Sequence, residues 1–320
     1  MTPALAVRAE GLTKRFGALT AVDAISIQVS EGEVYGVLGP NGAGKTTFLR
    51  MLFGLIRPDA GSLEVFGRTW ERDGTAALEG VAGFIESPRF YPYLTGRRNL
   101  ELLAGLDGGT GARTIAEVLD VVDLTGRGGD KVAGYSFGMR QRLGVAASLL
   151  REPRLLVLDE PANGLDPAGI RDMRALVKRL TSSGLTVLLS SHDMDEVEEI
   201  CDNVTIMKRG SVAFHGTITE LRHQAPPQAH LLSTSDDAAA LALGQGREGL
   251  GVTSADGRLA VRGSQPVIDA YVAAVVGAGV AVRSLTLGEA PLEALFFMLT
   301  ESAPADADQL TRTDLEETSR

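Results

Sequence analysis

The sequence predicts an α/β fold in two parts: a large domain on a mixed sheet with a helical subdomain, then a small C-terminal α+β domain. Three observations lead there. Short apolar runs of strand length alternate with helical patterns through residues 5–222. A glycine-rich turn, Gly39-Pro40-Asn41-Gly42-Ala43-Gly44-Lys45-Thr46, joins one of those strands to a helix. After a polar stretch around Pro226-Pro227 the pattern changes to βαββαβ.

Leu5 to Gly11 and Ala24 to Val29 read as a strand pair separated by turn residues. Val34-Tyr35-Gly36-Val37-Leu38 is a short apolar strand that feeds the glycine-rich turn and its helix. Val81 to Ile85 is another, ending in Glu86 and broken by Ser87-Pro88. Residues 97–151 contain no good strand and are expected to be a helical insertion. Leu155 to Leu158, Thr186 to Ser190 and Val204 to Met207 are buried-type strands, with helical patterns over Pro167–Leu180 and Met194–Cys201. A linker is expected over 223–229 and a small domain over 230–301, with a turn at Asp256-Gly257 and a closing amphipathic helix from Pro291 to Thr300. The polar, acidic residues 302–320 read as a disordered tail.

Composition sets bounds on function. The chain has 320 residues, 44% hydrophobic and 22% charged, enough for two domains with a substantial core. A net charge of -10 argues against non-specific nucleic-acid binding. The single cysteine, Cys201, excludes a disulfide framework or a cysteine-cluster metal module and reads as a small buried apolar residue. The first residues lack the apolar core of a signal peptide. The longest apolar run, Ala270 to Val282, falls short of the about 20 residues that cross a bilayer. A soluble, cytosolic chain that can dock on a membrane protein is expected.

The glycine-rich turn matches G-x-x-x-x-G-K-[ST], the phosphate-binding (Walker A) loop. Its glycines let successive N–H groups curl around a phosphate, and the helix N-terminus adds partial positive charge. Lys45 reaches the outer phosphates, and the Thr46 hydroxyl is placed to ligate magnesium. At the end of the 155–158 strand stand Asp159 and Glu160. In open parallel sheets that edge is where ligands bind. Asp159 is suited to hold magnesium, directly or through water. Glu160 is suited to polarise an attacking water.

Three further stretches follow the phosphate loop in order: Ser136-Phe137-Gly138-Met139-Arg140-Gln141-Arg142, Asn163-Gly164-Leu165-Asp166 and Ser190-Ser191-His192-Asp193. Read alone, Ser136 is a helix N-cap and His192 a lone histidine. Together, residues 4 to about 222 resemble the ABC-type ATPases, with their signature, D-loop and switch-histidine motifs. The S-x-G-M form of the signature is similar to that of multidrug, bacitracin and lantibiotic-immunity exporters, and the run Glu86-Ser87-Pro88-Arg89-Phe90-Tyr91-Pro92 resembles the bacitracin and lantibiotic branch.

That resemblance implies an ATPase that binds ATP and magnesium and works as a head-to-tail pair, a homodimer in the simplest case. Ser136 and Gly138 of one copy would contact the γ-phosphate held by Gly39–Thr47 of the other, with Asp166 in the D-loop. His192 would sense the γ-phosphate beside the catalytic Glu160. Phe16 matches the aromatic that stacks on adenine, though read alone a Phe at a strand end is more often core. The implied partner is a separate transmembrane permease, with the chain peripheral on the cytoplasmic face and the export of a drug, peptide antibiotic or similar compound as its task. A soluble ABC ATPase acting on ribosomes or nucleic acid is the alternative.

Two positions depart from the family pattern. Phe137 and Met139 replace the usual glycine and glutamine of the signature, while Ser136 and Gly138 are kept. Glu86 stands where the family has a glutamine that touches magnesium. A carboxylate serves equally as a hard ligand. Its repulsion with Asp159, Glu160 and the phosphates, about 4 kcal/mol per pair at 4 Å and an effective dielectric of 20, would have to be screened by the metal. The rival reading turns Glu86 to solvent or to the membrane partner.

Overall fold

The computed structural model describes residues 4–106, 114–255, 257–288 and 290–300. Contacts divide the chain into two units, residues up to Ile218 and Thr219–Met298.

In the first unit, β1 (Leu5–Phe16) and β2 (Leu19–Ser30) form a long antiparallel hairpin. It leads to β3 (Val34–Leu38), whose five residues are all buried, and across the phosphate-type loop to α1 (Lys45–Leu52). Next come β4 (Ala60–Val65), β5 (Arg68–Thr69), the single-turn α2 (Trp70–Asp73) and β6 (Val81–Phe84). The helical region holds α3 (Gly96–Leu106), α4 (Ile115–Val121) and α5 (Phe137–Leu149). A capping box starts α4: the Thr114 hydroxyl accepts from Glu117 N and the Glu117 carboxylate accepts from Thr114 N. Then follow β7 (Leu155–Asp159), α6 (Pro167–Ser182), β8 (Thr186–Ser191), α7 (Met194–Ile200), β9 (Asn203–Lys208) and β10 (Ser211–Thr217), and α8 (Ile218–Gln224) leads into the second unit.

The first sheet is ordered β2-β1-β4-β5 and the second β10-β9-β3-β8-β7-β6. In the second sheet β9, β3, β8, β7 and β6 run parallel and only β10 is antiparallel. The continuous apolar runs of β3, β7 and β8 follow from cover on both faces. One core unites Val7, Leu12, Ile25 and Ile27 of the first sheet, Tyr35, Val157 and Leu188 of the second, and Phe48, Leu49 and Leu52 of α1. Fully burying one such side chain is worth roughly 1.5–3 kcal/mol. Cys201 is buried, as its sequence context suggests, and burial pushes its thiol well above the ordinary range. The neighbour order β3-β8-β7-β6 decides the site, because the loops after these strands emerge side by side at one sheet edge.

Three strands are absent from the sequence reading: β4, the two-residue β5 and β10. β4 opens on Ala-Gly-Ser, which carries little strand signal. β10 alternates exposed and half-buried residues as an antiparallel edge. The expected linker is partly helical, since α8 runs on through His223 and Gln224 and stops just before Pro226.

The second unit contains β11 (His230–Thr234), α9 (Asp237–Gly244), β12 (Leu250–Ala255), β13 (Arg258–Gly263), α10 (Gln265–Gly277) and β14 (Val282–Leu287). The sheet order β12-β13-β11-β14, with every pair antiparallel, is that of a ferredoxin-like βαββαβ domain. Its core holds Leu232, Leu259, Val261, Ile268 and Tyr271, and the Tyr271 hydroxyl donates to Ala240 O at 2.7 Å. The chain then forms α11 (Pro291–Thr300). Asp256 of the predicted turn and the predicted tail 302–320 lie outside the described residues.

Candidate active site

The loop between β3 and α1 is held open by glycine. Gly44 sits at φ 106, and a Cβ there would lie 2.4 Å from Ala21 O. At Gly39 a Cβ would meet Met207 O at 2.5 Å. Ala43 and Lys45 are buried, Pro40, Asn41 and Gly42 exposed, and Thr46 and Thr47 half-buried. α1 has no acidic residue in its first turn, so the positive helix end stays unneutralised. The Lys45 ammonium folds back over the loop, donating to Gly39 O at 2.6 Å and Pro40 O at 3.3 Å, and it lies 3.1 Å from Glu160 Oε1.

Next to it, the Thr46 hydroxyl donates to Asp159 Oδ2 at 3.0 Å, and the Ser190 hydroxyl donates to Asp159 Oδ1 at 2.5 Å. Asp159 is 4% exposed. No group of three or more His, Cys, Asp or Glu that could hold a metal occurs among the described residues. A buried carboxylate touching a hydroxyl at a phosphate loop nevertheless fits magnesium, which takes one or two protein oxygens and fills the rest with phosphate and water.

Glu160 has φ 48, a conformation that strains a non-glycine residue by about 1–3 kcal/mol. Its N–H lies 3.0 Å from Ser190 Oγ and 3.2 Å from Ser190 O, which fixes the strained turn. The carboxylate bridges two partners, Lys45 through Oε1 and His192 Nδ1 through Oε2 at 2.8 Å. The structure therefore brings Lys45, Thr46, Asp159, Glu160 and His192 together from three strand ends far apart in sequence.

Phe16 is not core. It is half exposed at the end of β1, with Lys14 Nζ 5.5 Å from its ring centre. Asp59 ties down this strand end by accepting from Lys14 Nζ at 3.0 Å and from Arg15 N at 2.6 Å. Ser136 is the N-cap of α5, its hydroxyl accepting from Met139 N at 3.1 Å. Gly138 packs on the D-loop, where a Cβ would lie 3.4 Å from Leu165. Asp166 caps α6 by accepting from Gly169 N at 3.0 Å. A cavity of about 250 Å³ is lined by Thr46, Glu86, Phe137, Gln141, Asp159 and Glu160. Phe137 and Gln141 of the signature stretch and Asn163 of the D-loop line it, whereas Ser136, Gly138 and Asp166 do not.

Glu86, expected as a metal oxygen, forms a 2.7 Å ion pair with Arg50 on α1, both side chains being substantially exposed, and it also lines the cavity it shares with Thr46, Asp159 and Glu160. The guanidinium offsets the charge that the sequence reading left for the metal to screen. Exposed pairs of this kind contribute about 0–1 kcal/mol. Glu86→Gln is therefore expected to leave the hydrolysis rate within about twofold, with a superimposable magnesium curve. A several-fold shift in the magnesium midpoint at fixed ATP would return Glu86 to the metal.

Sequence reasoning missed Arg50, whose only signal is a basic residue in the last turn of α1. It also missed the tie from Ser190 to Asp159 and the buried Gln141, whose Oε1 has no partner among the described residues.

Residues 22–163 match the family model described as ABC transporter. The chain is 45% identical over 204 residues to the uncharacterized ABC transporter ATP-binding protein YdbJ of Bacillus subtilis (strain 168), covering 63% of this chain and 66% of that protein. It is 41% identical over 216 residues to the bacitracin transport ATP-binding protein BcrA of Enterococcus faecalis, covering 67% of this chain and 70% of that protein. A solved structure of an ATP-binding subunit of an ABC transporter superposes with TM-score 0.61 at 29% identity, covering 68% of this chain and 92% of that one.

Proposed function

Because the chain belongs to the ABC transporter family of ATP-binding proteins, we propose that it is the ATP-hydrolysing subunit of an exporter for a drug, peptide antibiotic or similar compound. The observation that carries this is the convergence of Lys45, Asp159–Thr46 and Glu160–His192 on one sheet edge.

In this reading the N–H groups at the start of α1 and the Lys45 ammonium hold the β- and γ-phosphates, and Phe16 stacks on the base. Thr46 and Asp159 would hold magnesium, which when bound neutralises phosphate charge. Nucleotide draws Lys45 off Glu160 and leaves that carboxylate free. Glu160 then takes a proton from the attacking water as its oxygen bonds to the γ-phosphorus. The bond from that phosphorus to the bridging oxygen breaks, giving ADP and phosphate. His192 holds Glu160 in register and hydrogen-bonds the γ-phosphate. Ser136 and Gly138 act on the site of a second copy, and so does the D-loop that Asp166 ends.

In this reading a separate membrane subunit carries the path for cargo and this chain sits on its cytoplasmic face; no described helix is long and apolar enough to cross a membrane. Leu103 and Leu106 are exposed at a cavity of about 440 Å³ that Phe84, Pro88 and Phe90 also line, and Tyr91 and Tyr93 are exposed just after Phe90 in sequence, which supports docking there. The transport name of BcrA favours this reading over action on ribosomes or nucleic acid.

The test expresses the chain with a candidate membrane subunit and scores tolerance to a panel of peptide antibiotics and cytotoxic drugs. The wild type should raise tolerance to at least one compound and Glu160→Gln should not. Equal tolerance across the panel, with no magnesium-dependent ATP hydrolysis by the purified pair, would overturn the proposal.

A further inference from the structure

The loop that carries His192 is held from behind by a buried carboxyl that the hydrolytic reading does not use. Glu196 lies on α7 and is 3% exposed. Its Oε2 accepts a 2.6 Å hydrogen bond from the Ser191 hydroxyl. The Ser191 oxygen in turn accepts the Asp193 N–H at 3.0 Å, and that amide belongs to the peptide bond directly after His192. On the other side of the histidine, Ser191 O accepts the Gly39 N–H at 3.2 Å. The backbone flanking His192 is thus tied to α7 through Ser191 and Glu196, besides the Asp193 cap that accepts from Asp195 N at 2.8 Å and Glu196 N at 3.2 Å, and to the phosphate loop through Gly39.

The Glu196 tie is costly. Glu196 Oε1 is buried with no hydrogen-bond partner among the described residues. Burial pushes the carboxyl up to about 6, Asp193 and Glu160 add to the rise, and Ser191 and Arg174 oppose it. Cys201, also on this side, has its thiol raised by burial and further by Glu196. Arg174 does not remove the cost, since it pairs with Glu199 at 2.6 Å and its own Nε is unpartnered. A half-satisfied buried carboxyl destabilises a fold, and a neutral side chain on the same face of α7 would not. Packing therefore gives no account of Glu196, whereas its bond to Ser191 does.

We propose that Glu196 is a positioning residue: through Ser191 it fixes the 191–193 loop and so sets where His192 Nδ1 meets Glu160. The inference rests on the hydrolytic roles of Glu160 and His192. A cavity of about 150 Å³ lined by Glu160, Asn163, Leu165, His192 and Glu196 gives the loop room to move once the tie is cut.

The experiment compares the full chain with Ser191→Ala, Glu196→Ala, Glu196→Gln and the double alanine variant. Small misplacements of a reacting group cost up to about a hundredfold. Each single alanine variant should lower kcat by about ten- to a hundredfold with KM for ATP within about twofold. Glu196→Gln, whose amide oxygen still accepts from Ser191, should stay within about threefold of wild type, and the double variant should be no worse than the worse single. In nucleotide-free protein, where the chain has only four histidines to assign, the His192 ring resonances should shift in both alanine variants and stay put in the glutamine variant. Wild-type kcat in the alanine variants, multiplying losses in the double variant, or unmoved His192 resonances would each overturn the proposal. Should Glu196→Ala fail to fold, Ser191→Ala carries the test. Should the wild-type chain itself not hydrolyse ATP, the proposed function fails, and the His192 resonances still decide the tie.

Discussion

Glu160→Gln should keep ATP binding and lower turnover by about 10² to 10⁴, the usual loss when general-base help is removed. The geometry narrows the choice of base. Asp159 is occupied by Thr46 and Ser190 on its two oxygens, and Glu86 is paired with the Arg50 guanidinium. Glu160 is the carboxylate at this edge whose partners, Lys45 and His192, can both turn to phosphate instead. Glutamine keeps the shape and the oxygen but cannot take the proton. It also releases Lys45 from an opposite charge, so affinity for ATP should not fall. With turnover blocked, nucleotide that bridges two copies persists, and gel filtration with magnesium and ATP should show more dimer than wild type. Turnover within about threefold of wild type would assign the proton to another acceptor.

What the sequence made legible follows from where its signal is concentrated. β3, β7 and β8 are continuous apolar runs, and their limits fall within a residue of the predicted ones. The phosphate loop, Asp159, Glu160 and His192 stand at the ends of those strands, so placing the strands placed the residues. The βαββαβ order of the second unit came from the same alternation of periods. β4 and β10 escaped because an edge or glycine-led strand is only half buried and its pattern is weak. The partners of the predicted residues escaped for a different reason. Arg50 with Glu86, Ser190 with Asp159 and Glu196 with Ser191 are pairings across elements. A one-dimensional pattern names residues that follow a strand but does not say which neighbouring side chain will neutralise or orient them. Glu86 is the clearest instance: its chemistry allowed a metal, and only the fold brought a guanidinium to it.

Mixing two inactive variants, Lys45→Ala and Ser136→Arg, should restore hydrolysis that neither shows alone. Lys45 acts in its own site: its ammonium is buried over the loop of its own chain. Losing a charge-assisted contact of about 1.5–3 kcal/mol should weaken nucleotide binding roughly ten- to a hundredfold. Ser136 is different. It caps α5 on the surface, and neither it nor Gly138 lines the cavity beside its own phosphate loop. An arginine there should leave binding by the single chain intact and block closure against a partner. In a head-to-tail pair made of one copy of each variant, one site combines both lesions and the other has an intact phosphate loop facing an intact signature. Random pairing at equal concentrations makes about half the dimers mixed, with one sound site in each, so recovery of up to about a quarter of wild-type activity is expected. Recovery should follow the product of the two concentrations and vanish when the Ser136→Arg chain, which holds the intact loop, also carries Glu160→Gln, but not when the Lys45→Ala chain carries it. Absence of recovery at every ratio, with both variants folded and Ser136→Arg still binding ATP, would mean that each chain completes its own site, and the shared-site reading would fall.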